Sequence, residues 1–180
     1  MRLTHHYQQL IDLFNQCFAD DYNTRLVKGH DEPIYLPADR AVSFHQIIFA
    51  HGFFSSALHE CAHWFIAGAK RRELVDFGYW YEPDGRTASQ QSVFEKVEVK
   101  PQAIEWILSV ACGHAFRVSV DNLNGETTDP LPFKNAVFAQ VCEYLQNGLP
   151  ERAERFRLAL TAFYSTKPQL SVEDFDVNTI

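Results

Sequence analysis

The sequence predicts an α+β fold: a single domain of about five helices around a small β-sheet. Three observations lead there. At 180 residues the chain has the length of one domain and shows no internal repeat or linker. Several long segments repeat their apolar residues at three- and four-residue steps, the helical period. Between them lie short β-branched and aromatic runs bounded by Gly, Pro, Asn and Asp. Hydrophobic residues make up 46% of the chain and aromatics 14%, enough for a packed core and too much for a disordered chain.

In chain order, Leu3, Tyr7, Leu10, Ile11, Phe14, Cys17 and Phe18 mark an amphipathic helix with Thr4 as a cap. A turn-rich stretch follows through Asn23, Gly29 and Asp31. "PIYLP" (Pro33 to Pro37) and "QIIFAHG" (Gln46 to Gly52) read as short strands. Phe53 to Ala69 is apolar and free of proline, a buried helix ended by Gly68 and the cations Lys70, Arg71 and Arg72. "ELVDFGYWY" (Glu73 to Tyr81) reads as a strand closed by "EPDG". Pro101 suits the first turn of a helix continuing through "QAIEWILSVACGHAF". After the loop "DNLNGETTDPLP" come helices over Phe133 to Gln146 and Pro150 to Tyr164. The domain is expected over residues 1–167, with 168–180 a loosely held tail.

The formal net charge is −7 and no basic patch is present, which argues against a nucleic-acid binder. Cys17, Cys61, Cys112 and Cys142 are scattered without a C-x-x-C pair, as expected of reduced core thiols in a cytosolic protein. The N-terminus lacks the apolar block of a signal peptide, and no apolar run reaches the roughly 18 residues of a membrane span. The expected location is the cytoplasm, with no membrane partner.

The chemistry concentrates in "ALHECAHWF" (Ala57 to Phe65), which contains His59, Glu60 and His63 in the H-E-x-x-H pattern. Four residues apart on a helix, two imidazoles share one face and can converge on a cation. Glu60 projects to the side, placed to act as a base or to orient bound water. The residues after His63, "WFIAGAKRRE", hold no third histidine, so the metzincin extension is absent. Candidates for a third ligand are Asp76, Glu95, Glu98 and Glu105, and outside that set His51 and His114. Position favours Glu98, with Glu105 its competitor. Two histidines and a carboxylate serve zinc hydrolysis or Fe(II) oxygenation equally. Tyr79, Trp80, Tyr81 and Trp106 offer either aromatic walls for an alkyl-ammonium chain or plain core packing.

The stretches "HHYQQLIDLFNQCFADDYNTRLVKG", "DEPIYLPAD", "FAHGFFSSALHECAHWFIAGAKRRELVDFGYWYEPDGR", "FEKVEVKPQAIEW" and "NGLPERAERF" resemble the elongation factor P hydroxylase family, from His5 to about Tyr164. The resemblance implies a cytosolic, oxygen-dependent hydroxylase of the monooxygenase type. Its substrate would be elongation factor P whose lysine already carries a β-lysyl group. It also implies a fold similar to a metal-dependent ribonuclease of ribosome maturation, and a metal held by two histidines and one carboxylate. Here those are His59, His63 and, as the carboxylate, Glu98. Fe(II) is the implied metal, zinc an occupant of the purified protein, and molecular oxygen the cosubstrate. Glu60 is the expected catalytic residue, and Tyr79 and Tyr81 the expected substrate-binding residues. Competing readings are a zinc-dependent peptidase or nuclease and a non-catalytic domain that binds a translation protein. Arg71, Arg72 and Arg86 read as ordinary surface arginines.

Overall fold

A computed structural model describes residues 4–76, 85–120, 122, 124–125 and 129–180. The chain runs α1 (Tyr7–Tyr22), β1 (Thr24–Lys28), β2 (Ile34–Leu36), β3 (His45–Phe49), α2 (Phe54–Ile66), α3 (Ala88–Cys112), α4 (Leu131–Asn147) and α5 (Glu151–Tyr164). Single 3-10 turns lie at Arg71–Glu73, Val172–Asp174 and Val177–Thr179. Among the described residues this is one α+β domain of five α-helices and a three-stranded sheet, as the sequence predicts.

The first helix begins later than its apolar period suggests. His6, not Thr4, is its cap: the His6 side chain accepts from the Gln8 backbone, and Gln9 reaches back to the His6 N–H, closing a capping box. The helix ends at Asn23 in the left-handed region (φ 47°), and the chain turns at once into β1. That strand falls where only turns are expected. Thr24 and Leu26 are buried while Arg25 points to solvent, and the Leu26 N–H donates to the Asn15 side chain on α1.

The sheet order is β1-β3-β2, with β1 parallel and β2 antiparallel to the central β3. The expected strand from Glu73 to Tyr81 is not formed over its first half. Glu73 closes a 3-10 turn, and Asp76 makes an isolated bridge to Tyr35; Phe77 to Tyr81 lie outside the described residues. From β3 the chain enters α2 through two consecutive left-handed residues, His51 (φ 51°) and Gly52 (φ 78°). A Cβ at Gly52 would lie 3.0 Å from the Lys28 side chain and 3.2 Å from the Tyr7 ring, so glycine suits both the conformation and the space.

The helix expected to open at Pro101 opens instead at Ala88, capped by a box between Thr87 and Gln90, and carries Pro101 in its interior. Proline gives no N–H to the carbonyl four residues back, so the rung to Val97 is missing. The remaining rungs and the burial of the second half, where Gln102 to Ser109 are all buried, hold α3 together across this gap.

Two cores flank α3. The larger packs α1, the sheet, α2, α3 and α5 around Phe14, Phe18, Trp64, Phe65 and Phe156. The smaller joins α3 and α4 to the C-terminal segment. That segment is not loose: Phe175 meets Trp106 edge-on at 5.3 Å, and Phe175 and Ile180 are buried. No helix among the described residues is long and apolar enough to cross a membrane. All four cysteines are free thiols, each on a helix.

Candidate metal centre and its cleft

His59 and His63 stand one turn apart on α2, and their Nε2 atoms approach to 2.9 Å. Facing them from α3 is the buried carboxylate of Glu98. Its Oε2 lies 3.6 Å from His59 Nε2 and its Oε1 3.4 Å from His63 Nε2. One ligand-capable atom from each of the three side chains falls within 4.8 Å of the others. Glu105, the competitor for that place, sits two turns further along α3 and takes the opposite nitrogen, its Oε2 2.7 Å from His59 Nδ1.

Gln102 lies between the two carboxylates in sequence and fixes one of them. Its amide donates to Glu98 Oε2 (2.9 Å) and to the Ser119 carbonyl (2.7 Å), and its own oxygen accepts from the Ser119 N–H (3.0 Å). Glu98, Gln102, Glu105 and Ser109 thus form a buried polar stripe on α3 at steps of four, three and four. Gln102 and the Glu105–His59 contact were not singled out from the sequence. The stripe itself was the available signal, because polar residues at helical spacing within an otherwise buried helix require partners.

The arrangement fits a divalent cation. Glu98 Oε1 is buried without a hydrogen bond. Two imidazole nitrogens facing each other at 2.9 Å cannot both carry a proton or both present a lone pair without repulsion. A cation between the two nitrogens and Oε1 would satisfy all three, and an N,N,O donor set suits zinc or Fe(II). The electrostatics agree. Burial by itself would lower the His59 pKa, but Glu98 and Glu105 outweigh it and hold the imidazole up at about 10. Burial pushes Glu98 up, yet His59 and His63 bring it below the ordinary carboxylate value. Burial raises both Glu60 and Glu105.

An open cleft of about 500 Å³ exposes this cluster and is lined as well by Glu32, Phe53, Phe94 and Arg117. Glu60 lines the cleft outside the three-atom cluster and makes no hydrogen bond to a described residue. The other candidates lie elsewhere. Asp76 pairs with Arg71, Glu95 accepts from Gln91, and His114 meets Ser55. His51 sits in the turn before α2, and Trp106 stacks with Phe116 in the smaller core. Tyr79 and Tyr81 lie outside the described residues. Arg86 is not a surface arginine: it is buried, 3.9 Å over the Phe94 ring, and donates to Gln91 and to the Val120 carbonyl.

The sequence model described as elongation factor P hydroxylase matches residues 13–175. A curated protein of Haemophilus influenzae named elongation factor P lysine hydroxylase is 58% identical over 178 residues, 99% of this chain and 100% of the relative. With the match spanning both α2 and α3, this chain belongs to the elongation factor P hydroxylase family.

Proposed function

We propose that this protein hydroxylates a lysine of elongation factor P that already carries a β-lysyl group, with Fe(II) held by His59, His63 and Glu98. The observation that carries the metal reading is the buried Glu98 Oε1, without a hydrogen bond, facing two half-buried imidazole nitrogens 2.9 Å apart. Family membership supports the substrate. Bound there, Fe(II) would supply the redox chemistry by which one atom of molecular oxygen enters a C–H bond while the other leaves as water, with two electrons from a co-reductant.

The side chains prepare that chemistry. Glu105 accepts the Nδ1–H of His59, which fixes the tautomer and leaves the Nε2 lone pair toward the cluster. Gln102 occupies Glu98 Oε2 and so leaves Oε1 as the outward oxygen. Glu60, beside the cluster and without a hydrogen-bonded partner among the described residues, is the catalytic carboxylate: it meets an ammonium group of the substrate or holds a proton at the cleft. Tyr79 and Tyr81 are retained as substrate-binding residues because their aromatic rings suit an alkyl-ammonium chain. The family resemblance supports the finer fold reading, a likeness to a metal-dependent ribonuclease of ribosome maturation. A translation factor as substrate supports a cytoplasmic location.

The test is intact-mass analysis of β-lysylated elongation factor P incubated with the iron-loaded protein, with and without oxygen. A gain of one oxygen atom, only in air and lost in His59→Ala, is the expected result. No gain under any condition, with zinc restoring a hydrolytic activity, would replace the hydroxylase reading by the zinc-hydrolase one.

A further inference from the structure

Ten large apolar side chains stand exposed among the described residues, and five of them gather on one side of the metal centre. Val93 and Val97 lie one turn apart on the outer side of α3. Ile66 ends α2, and Leu74 and Val75 follow the 3-10 turn beyond it. Ile66 and Val97 wall a cavity of about 160 Å³ together with Arg72 and Asp76, between which Leu74 and Val75 lie in the chain. The same cavity reaches Glu60 and His63, which also line the open cleft.

The fold gains little from these five residues. Leu74 is 63% exposed, and valine is a weaker helix former than alanine or leucine at open positions such as 93 and 97. Single exposed apolar residues are ordinary, but a group of them beside a cleft marks a contact surface. The charge around the group is positive. Lys96 and Lys100 share the outer side of α3, and Lys70 precedes the 3-10 turn. All three are exposed and form no ion pair with a described residue. Of the carboxylates on the same two segments, Glu98 faces the histidines, Asp76 pairs with Arg71 and Glu95 accepts from Gln91, which leaves Glu73. Three open lysines against one open carboxylate stand out in a chain of net charge −7.

We propose that this apolar and cationic surface docks elongation factor P beside the lysine to be hydroxylated, against a patch of the factor that carries apolar and acidic groups. The proposal rests on the hydroxylase reading above and deepens it, naming where the protein partner sits. The cleft admits one side chain, whereas a protein partner covers on the order of 800 Å². The surface adjoining the cleft takes the rest of that contact. A second copy of this chain held there would close the side of the metal centre that the cavity opens, so the factor is the occupant. Apolar groups supply the core of such an interface, and lysines at its rim speed encounter.

The test places a charge on each segment of the surface, with Leu74→Glu and Val93→Glu, and on α5 as a control, with Phe163→Glu, whose side chain is 50% exposed. Affinity for purified elongation factor P is measured by calorimetry, with Fe(II) uptake and the urea midpoint alongside. Both surface variants are expected to bind roughly tenfold or more weakly, with unchanged Fe(II) affinity and midpoint, and the control to bind as the native protein does. Native affinity in both surface variants, or an equal loss in the control, overturns the docking assignment and leaves the hydroxylase reading standing. A dimer of the native protein in sedimentation that Leu74→Glu and Val93→Glu dissociate overturns it in favour of a second copy. A native protein that neither binds nor hydroxylates the factor overturns that reading and the docking surface together. Binding to the native protein is expected to weaken as salt rises. Binding indifferent to salt overturns the acidic patch assigned to the factor without any variant having to fold.

Discussion

The two faces of α2 are built on opposite terms, one fully buried and the other half-buried. One face, with Ala57, Leu58, Cys61, Ala62 and Phe65, packs into the aromatic core, where Phe65 sits 5.6 Å from both Phe18 and Phe156. The other carries His59 and His63 against a carboxylate, Glu98, that is only 1% exposed. The apolar face is complete by itself, since its contacts need nothing from outside the chain. The polar face is incomplete, with a buried oxygen lacking a donor and two nitrogens crowded together. Burying polar groups without partners costs stability. The comparison teaches that the aromatic side of α2 holds the helix in place so that its other side can keep a site in an unsatisfied state.

The largest expected effect tests the apolar face. Phe65→Ala should destabilise the metal-free protein by about 3–5 kcal/mol, a large share of the roughly 5–15 kcal/mol available to a domain. Urea unfolding measures it, and a loss below about 1 kcal/mol would mean that the aromatic core is not what holds α2. On the polar face His63→Ala should do the reverse. It should weaken Fe(II) or Co(II) binding at least a hundredfold and abolish hydroxylation, while metal-free stability moves by less than about 1 kcal/mol. A stability loss as large as that of Phe65→Ala would erase the distinction between the faces.

A smaller effect belongs to the residues that position the ligands. Glu105→Gln keeps the shape beside His59 Nδ1 but removes the charge, and outer partners of this kind contribute about 10–100-fold in metal affinity. Isothermal titration of metal into the variant checks it. The pH dependence sharpens the same point. His59 is held at about 10 in the metal-free fold and near its ordinary value when unfolded, so the folded state binds the extra proton. Its stabilising contribution is complete below about pH 6.5 and is lost as pH rises toward 10. Metal must displace that proton, so apparent metal affinity should rise about tenfold per pH unit across the same window. Metal binding that is flat between pH 7 and 9 would show that His59 is neutral before metal arrives.

What the sequence revealed follows from how local each signal is. The histidine pair of α2 was legible because both partners lie within one helical turn, and the pattern sits in an apolar segment too long to be a strand. Glu98 was legible only as a candidate among several, since choosing it over Glu105 depends on how α3 crosses α2. The start of α3 was hidden because Pro101 reads as an opener, and only burial against α2 and α4 explains a helix that runs through it. Strand β1 was hidden by the turn residues Asn23 and Gly29 on either side of it. The C-terminal segment looked loose because its apolar residues have no period, yet Phe175 reaches Trp106 through tertiary packing alone.

The smallest expected effect probes the boundary between the two faces, at Pro101. Proline in a helix interior is about 3 kcal/mol less favourable than alanine, chiefly through the lost rung and the clash of its ring. Against that, Pro101 is buried, and removing its ring leaves a small void that costs about 1–2 kcal/mol. The balance predicts that Pro101→Ala stabilises the protein by about 1 kcal/mol, seen as a higher urea midpoint at unchanged slope. The new N–H would also complete the helical rung to the Val97 carbonyl, one hydrogen bond worth roughly 0.5–1.5 kcal/mol. A lower midpoint would instead show that the proline ring is a packing element between α2 and α3, and that Pro101 belongs with the apolar face.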